Sequence, residues 1–401
     1  MEVTTSQGYN VDRMEPDGGW NTSILNVTQD NYSDYYYSDS EYMDYPEYRA
    51  ANSINEYYLY VICGIGIPGN IACLVTLTLM RPFTSSDVYM MTLAVADMLA
   101  LIIKMLFLKL TEYNVQLHNA GCQVIFLLGT TTQTYANWVL VLLTFERFVA
   151  VWFPLRVKNV CRKRNSVCVL FVLLVFFIGA HLHFLFTFEE ASHHLQTWMC
   201  QPKVRYVRFI TNVWYWIDGA LYALLPTLFI FIFNGLIIST VWRSSRAQRY
   251  LTNGARGRPE MEAASQQRQI TAMLLVASVV FVILILPNCV FFIVKDHVAW
   301  RATPKGTAQY HLVQQIVFVL SDLSHAVNFY LYCVSGRKFR QKFLYLICSC
   351  RHGKLTRGRQ RTISRDVSRV PDVCASTGST SLSIFTISPK PSPLHCSRQP
   401  E

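Results

Sequence analysis

Seven long apolar segments, separated by shorter polar ones, run along the chain. A transmembrane helix needs about 20 consecutive apolar residues to cross the ~30 Å hydrocarbon core of a bilayer. All seven segments reach that length, and we place them at about 57–80, 87–109, 122–147, 165–188, 211–242, 267–294 and 310–333. The pattern predicts an all-α membrane protein, a bundle of seven transmembrane helices. The alternative is a soluble protein with seven buried helices, which so many segments of this length disfavour.

The composition supports a membrane protein. Of the 401 residues, 52% are hydrophobic and 15% are charged, whereas soluble domains carry about 25% charged residues. Residues 1–20 contain no apolar run of the kind found in signal peptides, so we expect the first apolar segment to direct insertion.

The charged residues are distributed unevenly around the apolar segments. Residues 1–56 contain eleven acidic and two basic residues, while the tail from Gly336 contains thirteen basic and three acidic ones. Because cytoplasmic segments carry the excess of Lys and Arg, we expect the N-terminus outside the plasma membrane and the C-terminus inside. The net charge of +11 is therefore a topology signal, and we expect no nucleic-acid partner.

The third segment has a thiol at one end and an ion pair at the other. Cys122 opens it, and the triplet Glu146-Arg147-Phe148 closes it, ~37 Å further along a helix. A second cysteine, Cys200, lies in the loop after the fourth segment, on the same oxidising side. Seven segments with these features resemble the rhodopsin-like (class A) G-protein-coupled receptors.

The resemblance covers roughly residues 57–350 and assigns roles to several of them. It implies a disulfide between Cys122 and Cys200. It also implies a switch for G-protein coupling, in which Glu146 holds Arg147 in the inactive state and activation frees Arg147 to meet the G-protein. The residues of this switch are Glu146, Arg147, Phe148, Asn328 and Tyr332.

A sodium site is a further implication of the resemblance. In the family, an aspartate of the second segment helps to hold a sodium ion in the inactive state. The matching residues here are Asp97, Asn70, Ser324 and Asn328, whereas Ala136 stands where the third segment often offers a serine. No other metal or cofactor is expected.

The chain departs from the family pattern at two positions of the movable helices. Phe329 replaces the proline of the Asn-Pro-x-x-Tyr motif, and Ile285 stands where the sixth segment usually has Trp or Phe. Pro226 and Pro287 are retained, and proline bends a helix. We therefore expect a movable sixth helix without the usual aromatic toggle.

Two features narrow the class of ligand. Gly129 lies seven residues after Cys122, where amine receptors place an aspartate, so a monoamine ligand is disfavoured. The seventh segment contains no lysine between Tyr310 and Cys333, which excludes a retinal Schiff base.

Ionisable side chains in membrane segments are costly and usually functional. Lys104, Asp218 and Asp322 lie at similar outer depths in their segments. One interpretation is an internal Lys104–Asp322 pair that joins two helices. The other is that Asp218 or Asp322 binds an arginine or amine of a peptide, while Lys104 binds a carboxyl group. Gln133 and Tyr222 are expected to add polar contacts to this ligand pocket.

Three functions stay open. Residues 328–340 are similar to invertebrate neuropeptide receptors of the FMRFamide type, which favours a neuropeptide receptor. The acidic N-terminal residues 1–56 suit a chemokine-like receptor for a small basic protein. However, residues 1–56 and 295–309 contain no cysteine, so the extra disulfide usual in chemokine receptors cannot form. A scavenger receptor that does not signal is disfavoured by the intact Glu146-Arg147-Phe148. No enzyme constellation is evident, so we expect no catalytic residues.

The N-terminal arm, residues 1–56, is acidic and predicted to be disordered. Three sequons on the luminal side predict glycosylation at Asn21, Asn26 and Asn31. The arm also alternates tyrosines with acids, a pattern that resembles sulfation sites and favours attraction of a basic ligand. The alternative is a solvated tail without that role.

A short amphipathic segment follows the predicted bundle, 57–335. In residues 336–350, basic and apolar residues alternate with helical spacing, which predicts a helix on the lipid of the inner leaflet. Cys348 and Cys350 are candidate palmitoylation sites. The tail, 351–401, is predicted to be disordered, and the resemblance implies that receptor kinases phosphorylate it and that arrestin then binds it.

Overall fold

The structure is a computed structural model that describes residues 41–80, 83–153, 161–192, 198–250, 258–295 and 297–351. The glycosylation candidates Asn21, Asn26 and Asn31 lie outside these ranges, as does the tail beyond 351, so the expectations for them stay predictions.

Helices make up most of the described chain, together with one hairpin. Their bounds are α1 Pro46–Leu79, α2 Ser85–Glu112, α3 His118–Trp152, α4 Lys163–His181, α5, α6 Arg258–Val294, α7 Pro304–Ser324, α8 Asn328–Ser335 and α9 Arg337–Arg351. The label α5 covers the consecutive helical turns from Val204 to Leu224 and the regular α-helix Leu225–Tyr250 that follows them; its candidate membrane span is Val204–Trp242. The hairpin pairs β1, Phe188–Ser192, with β2, Trp198–Pro202, in antiparallel register between α4 and α5.

Over the described residues, six helices are long and apolar enough to cross a membrane. The bent pair of α7 and α8 supplies a seventh crossing when it is counted as one span. Large apolar side chains point away from the bundle, as on α4, where Phe171 is 64% and Phe176 is 56% exposed. Such contiguous exposed apolar surface is typical of contact with lipid, and the prediction of a seven-helix bundle is confirmed.

The first helix begins earlier than the apolar pattern predicts. Residues 46–56, assigned above to the disordered arm, form the first turns of α1. Pro46 occupies a first-turn position of that helix, where its missing N–H costs nothing and its fixed φ favours the helix. Arg49 then donates from Nη2 to the carbonyl of Asp44 at 2.8 Å, which ties the helix to the preceding turn. A hydrophobicity pattern alone does not detect the first-turn proline or this hydrogen bond.

The seventh apolar segment is broken, and not by a proline. α7 ends at Ser324 and α8 begins at Asn328, with an angle of 57° between them. In the break, the backbone N–H of His325 bonds back three residues to Asp322 and that of Ala326 bonds to Leu323. These tight turns expose the carbonyl of His325, which accepts a hydrogen bond from the Asn70 amide of α1 at 3.1 Å.

Pro226 widens α5 rather than only bending it. Residues 220–224 form a π-helical turn just before it. Since proline has no N–H, the carbonyls of Leu221 and Tyr222 lose their partners five and four residues ahead. Side chains of α3 replace them: the Trp138 indole N–H donates to Leu221 O and the Asn137 amide donates to Tyr222 O, each at 2.8 Å. The proline thus couples α5 to α3.

Phe329, in the place of the family's proline, joins α8 to α9. Its ring contacts those of Phe339 and Phe343 on α9, with centroids 6.0 and 4.9 Å apart. Phe339 is buried and also meets the ring of Tyr332. The predicted amphipathic helix is therefore present as α9, Arg337–Arg351, and its apolar face packs on the end of the bundle.

Candidate functional site

The hairpin covers one end of the bundle, which we call the disulfide end. Cys122 in α3 and Cys200 in β2 form a disulfide, as predicted. Glu190, opposite Cys200 in the hairpin, accepts hydrogen bonds from the backbone N–H groups of Leu117 and His118 at 2.6 and 2.9 Å. These contacts satisfy N–H groups at the start of α3 and fix the hairpin above the helices.

A cavity of about 150 Å³ lies beneath the hairpin. Five side chains that the sequence singles out as ligand contacts all line it: Lys104, Gln133, Asp218, Tyr222 and Asp322. The rest of the wall is largely apolar and aromatic, with contributions from Phe126, Phe184, Phe188, Trp214 and Phe292. Four different helices, α2, α3, α5 and α7, thus bring the predicted polar groups to one place.

Two charges of the cavity neutralise each other. The Lys104 ammonium of α2 lies 2.7 Å from Oδ2 of Asp322 in α7, and both side chains are buried. The Ser321 hydroxyl, on the residue that precedes Asp322 in α7, shares a 2.7 Å hydrogen bond with the Tyr222 hydroxyl of α5. The geometry matches the internal pair considered above and joins α2 to α7.

Asp218 has a different environment. Its Oδ1 is buried and has no hydrogen-bond partner within the described part of the chain. The nearest opposite group is Nε2 of His181 in α4, at 3.6 Å. Since Nδ1 of His181 lies 2.9 Å from the carbonyl of Phe177, which can only accept, that nitrogen carries a hydrogen. His181 was not among the predicted ligand residues, although a histidine inside an apolar segment is itself a signal.

The opposite end of the bundle, which we call the Arg147 end, holds the predicted switch. Nη2 of Arg147 lies 3.1 Å from Oε2 of Glu146, and both side chains are buried. The hydroxyls of Ser85 and Ser86, at the start of α2, donate to the Glu146 carboxylate, and Ser86 also accepts from Arg147. The remaining groups of Arg147, Nε and Nη1, have no hydrogen-bond partner among the described residues.

The two serines are functional neighbours that the sequence did not reveal. Nothing in their local pattern separates them from the capping residues around them, since Thr84 and Asp87 form a reciprocal cap on the same turn of α2. The other members of the predicted switch make contacts of their own, and Asn328 donates to Asp97. Phe148 stacks on Phe233 of α5 with ring centroids 5.7 Å apart, and Tyr332 is buried.

The residues predicted to hold sodium surround Asp97, near the middle of α2. Asp97 accepts hydrogen bonds at 2.8 Å from Asn328 and from Nδ1 of His325. Asn70 reaches the same region from α1, where it donates to the backbone of His325. The hydroxyl of Ser324 donates to its own helix, to Ser321 O at 2.6 Å. His325 is the member of this cluster that the sequence analysis missed.

The palmitoylation candidates lie at the end of α9. Cys348 is partly buried there, whereas the side chain of Cys350 lies outside the described part of the structure. Lipid attachment at either thiol stays a prediction.

Known seven-transmembrane receptors are similar to this chain over most of its length. Residues 69–332 match the model of the 7 transmembrane receptor (rhodopsin family). A probable G-protein coupled receptor of Caenorhabditis elegans is 23% identical over 337 residues, covering 79% of this chain and 75% of that protein. The thyrotropin-releasing hormone receptor of Gallus gallus is 25% identical over 312 residues, covering 72% and 77%. The growth hormone secretagogue receptor type 1 of Homo sapiens is 26% identical over 288 residues, covering 69% and 75%. The chain belongs to the rhodopsin family of seven-transmembrane receptors.

Proposed function

We propose that the chain is a plasma-membrane receptor that binds an extracellular peptide at its disulfide end and activates a heterotrimeric G-protein at its Arg147 end. Two of the named relatives are receptors for a releasing hormone and for a secretagogue. The acidic N-terminal arm and the basic tail support an outer N-terminus and an inner C-terminus. Glycosylation of Asn21, Asn26 and Asn31 fits that orientation.

The observation that carries the proposal is the charge of the cavity. Because Lys104 and Asp322 form a pair, the charge that a ligand meets there is that of Asp218. A carboxylate in an apolar wall is costly without a hydrogen-bonding partner. Oδ1 of Asp218 has none among the described residues, and Nε2 of His181 lies 3.6 Å from it. An arginine or amine of a peptide satisfies that carboxylate. We therefore assign Asp218 to a cationic group of the ligand.

The size of the cavity limits how much of a peptide enters it. A cavity of about 150 Å³ is similar in size to one that holds a benzene molecule. About one side chain of a peptide fits this space, and the remainder must lie outside it. Gln133 and the Tyr222–Ser321 pair supply polar contacts beneath it.

Coupling is assigned to the Arg147 end. In the arrangement described here, Glu146 and Ser86 hold Arg147, and its release exposes a guanidinium to a G-protein. The remaining partners are proposed on the family pattern and the sequence: receptor kinases and arrestin for the tail beyond 351, and lipid of the inner leaflet for α9 with Cys348 and Cys350.

A peptide-library screen on cells that express the chain tests this function. Calcium and cyclic AMP are recorded together, and cells expressing Arg147→Ala at equal surface density serve as the matched control. The proposal expects at least one peptide that acts on the wild type and not on the control. Responses of equal size in both cell lines would contradict signalling through this receptor. A small basic protein that acts where all peptides fail would favour the chemokine-like alternative.

A further inference from the structure

The cluster around Asp97 does not provide what a sodium ion needs. A hard cation takes several oxygen ligands with free lone pairs. Here each carboxylate oxygen already has one nitrogen partner, since Nδ1 of His325 lies 2.8 Å from Oδ1 and Nδ2 of Asn328 lies 2.8 Å from Oδ2. An ionised carboxylate only accepts hydrogen bonds, so both nitrogens present hydrogens to it. Those hydrogens take one lone pair of each oxygen and place the positive ends of two N–H bonds against the carboxylate that would anchor a cation.

The other predicted ligands do not make up the loss. The Asn70 amide donates from Nδ2 to the carbonyl of His325 at 3.1 Å, and its Oδ1 is buried without a hydrogen-bond partner among the described residues. The Ser324 hydroxyl hydrogen-bonds to the backbone of its own helix, at Ser321 O, and keeps the lone pairs of its oxygen. Ala136, fully buried in α3, adds no oxygen where a serine would. The site therefore differs from the family's sodium site in two ways: the anchoring carboxylate carries two N–H donors, one of them from an imidazole, and α3 lacks its hydroxyl.

His325 reaches Asp97 because the seventh span is broken. It is the first residue after α7, within the 57° bend, and its backbone is held there by Asp322 on one side and Asn70 on the other. The ring is therefore directed by main-chain contacts toward α2. Both Asp97 and His325 are almost fully buried, at 1% and 2% exposure, so their contact is a fixed part of the packing.

We propose that the imidazole of His325 occupies the cation position beside Asp97, so that this receptor binds no sodium ion there. The His325 side chain joins α2 directly to the α7–α8 bend. In a receptor with the family's sodium site, a sodium ion from the medium would make this link. The inference concerns the interior of the bundle and does not depend on which peptide binds at Asp218.

A gain-of-function variant tests the proposal without a ligand. The purified full-length receptor is unfolded thermally in sodium chloride and in choline chloride of equal ionic strength. The wild type is expected to unfold at the same temperature in both salts. His325→Ser removes the ring and supplies an oxygen, so a sodium-specific rise of roughly 2–4 °C is expected. Adding Asp97→Asn to that variant should abolish the rise, because the carboxylate is lost.

Ala136→Ser is the matched control, since it adds a hydroxyl on α3 and leaves the imidazole in place. It is expected to show no sodium-specific rise. A sodium-specific rise in the wild type or in Ala136→Ser alone would overturn the proposal, and so would its absence in a folded His325→Ser protein. If His325→Ser does not fold, His325→Asn tests the same expectation, and the wild-type measurement remains decisive by itself.

Discussion

Among the described residues, a lysine and an arginine form buried ion pairs toward opposite ends of the bundle, and the two pairs are built differently. Lys104 and Asp322 are 218 positions apart in sequence and join α2 to α7 through one contact of 2.7 Å. Glu146 and Arg147 are neighbours on α3, 3.1 Å apart, and two serine hydroxyls of α2 complete their surroundings.

The different surroundings of the two ion pairs indicate which of them can open. Separating Lys104 from Asp322 leaves two buried charges without each other, which is strongly unfavourable. When Arg147 is released, the Glu146 carboxylate still accepts hydrogen bonds from Ser85 and Ser86. Arg147 itself has two nitrogen positions without partners among the described residues. The first pair therefore suits a structural link, and the second suits a switch.

Replacing Arg147 should have the largest effect on signalling. We expect Arg147→Ala to retain peptide binding at the cell surface and to lower G-protein activation by about 100-fold or more, because a positioned charge loses its role in the active state. The measurement is agonist-induced calcium or cyclic AMP at matched surface expression. Normal signalling by this variant would remove Arg147 from the coupling step.

Replacing Lys104 should have the largest effect on stability. Lys104→Ala leaves Asp322 buried and unpaired, which we expect to cost about 3–5 kcal/mol in the free energy of unfolding. Thermal unfolding of the purified receptor and its surface density report this loss, and the exchanged pair Lys104→Asp with Asp322→Lys should restore part of it.

Lys109 offers the matched control for this loss. It lies on the same helix in an exposed pair with Glu112, and Lys109→Ala should change stability little, as is usual for surface pairs. Full surface density of Lys104→Ala, accompanied by a large loss of peptide potency, would instead assign the pair to the ligand.

Removing one serine hydroxyl should have the smallest effect. Ser86→Ala takes away a group that both donates to Glu146 and accepts from Arg147, a loss of about 1 kcal/mol. We expect basal G-protein activity to rise by roughly fivefold, since the held arrangement is weakened. Thr144→Val is the control, because its hydroxyl bonds only to its own helix at Leu140 O. An equal rise in both variants would mean that Ser86 has no specific part in the switch.

The sequence predicted those features that depend on length and local spacing. Seven apolar segments of membrane length gave the bundle, and the positions of Cys122 and Cys200 gave the disulfide that the structure contains. The five polar residues of the cavity were found because a polar or ionisable side chain stands out in an apolar segment. Each of these residues or segments stands out from its own local sequence, before any contact between helices is known.

The missed features depend on contacts between distant helices. The bend after Ser324 is held by an Asn70 amide that lies 255 positions away, and no proline marks it. In the sequence, His325 is a histidine among mostly apolar neighbours, and nothing local indicates that the bend directs its ring to Asp97. The start of α1 was missed for a local reason, because helix propensity at Pro46 and beyond is not accompanied by hydrophobicity.

The most direct test of the account compares two peptides on two receptors. An activating peptide with a required arginine is paired with its neutral citrulline analogue, and both are measured on the wild type and on Asp218→Asn at equal surface density. Asp218→Asn should weaken the arginine peptide by about tenfold or more, equivalent to about 1.4 kcal/mol, and the citrulline peptide much less. Asp322→Asn should show no such selectivity. Equal losses for both peptides at Asp218→Asn would contradict the assignment of that carboxylate to the ligand's cation.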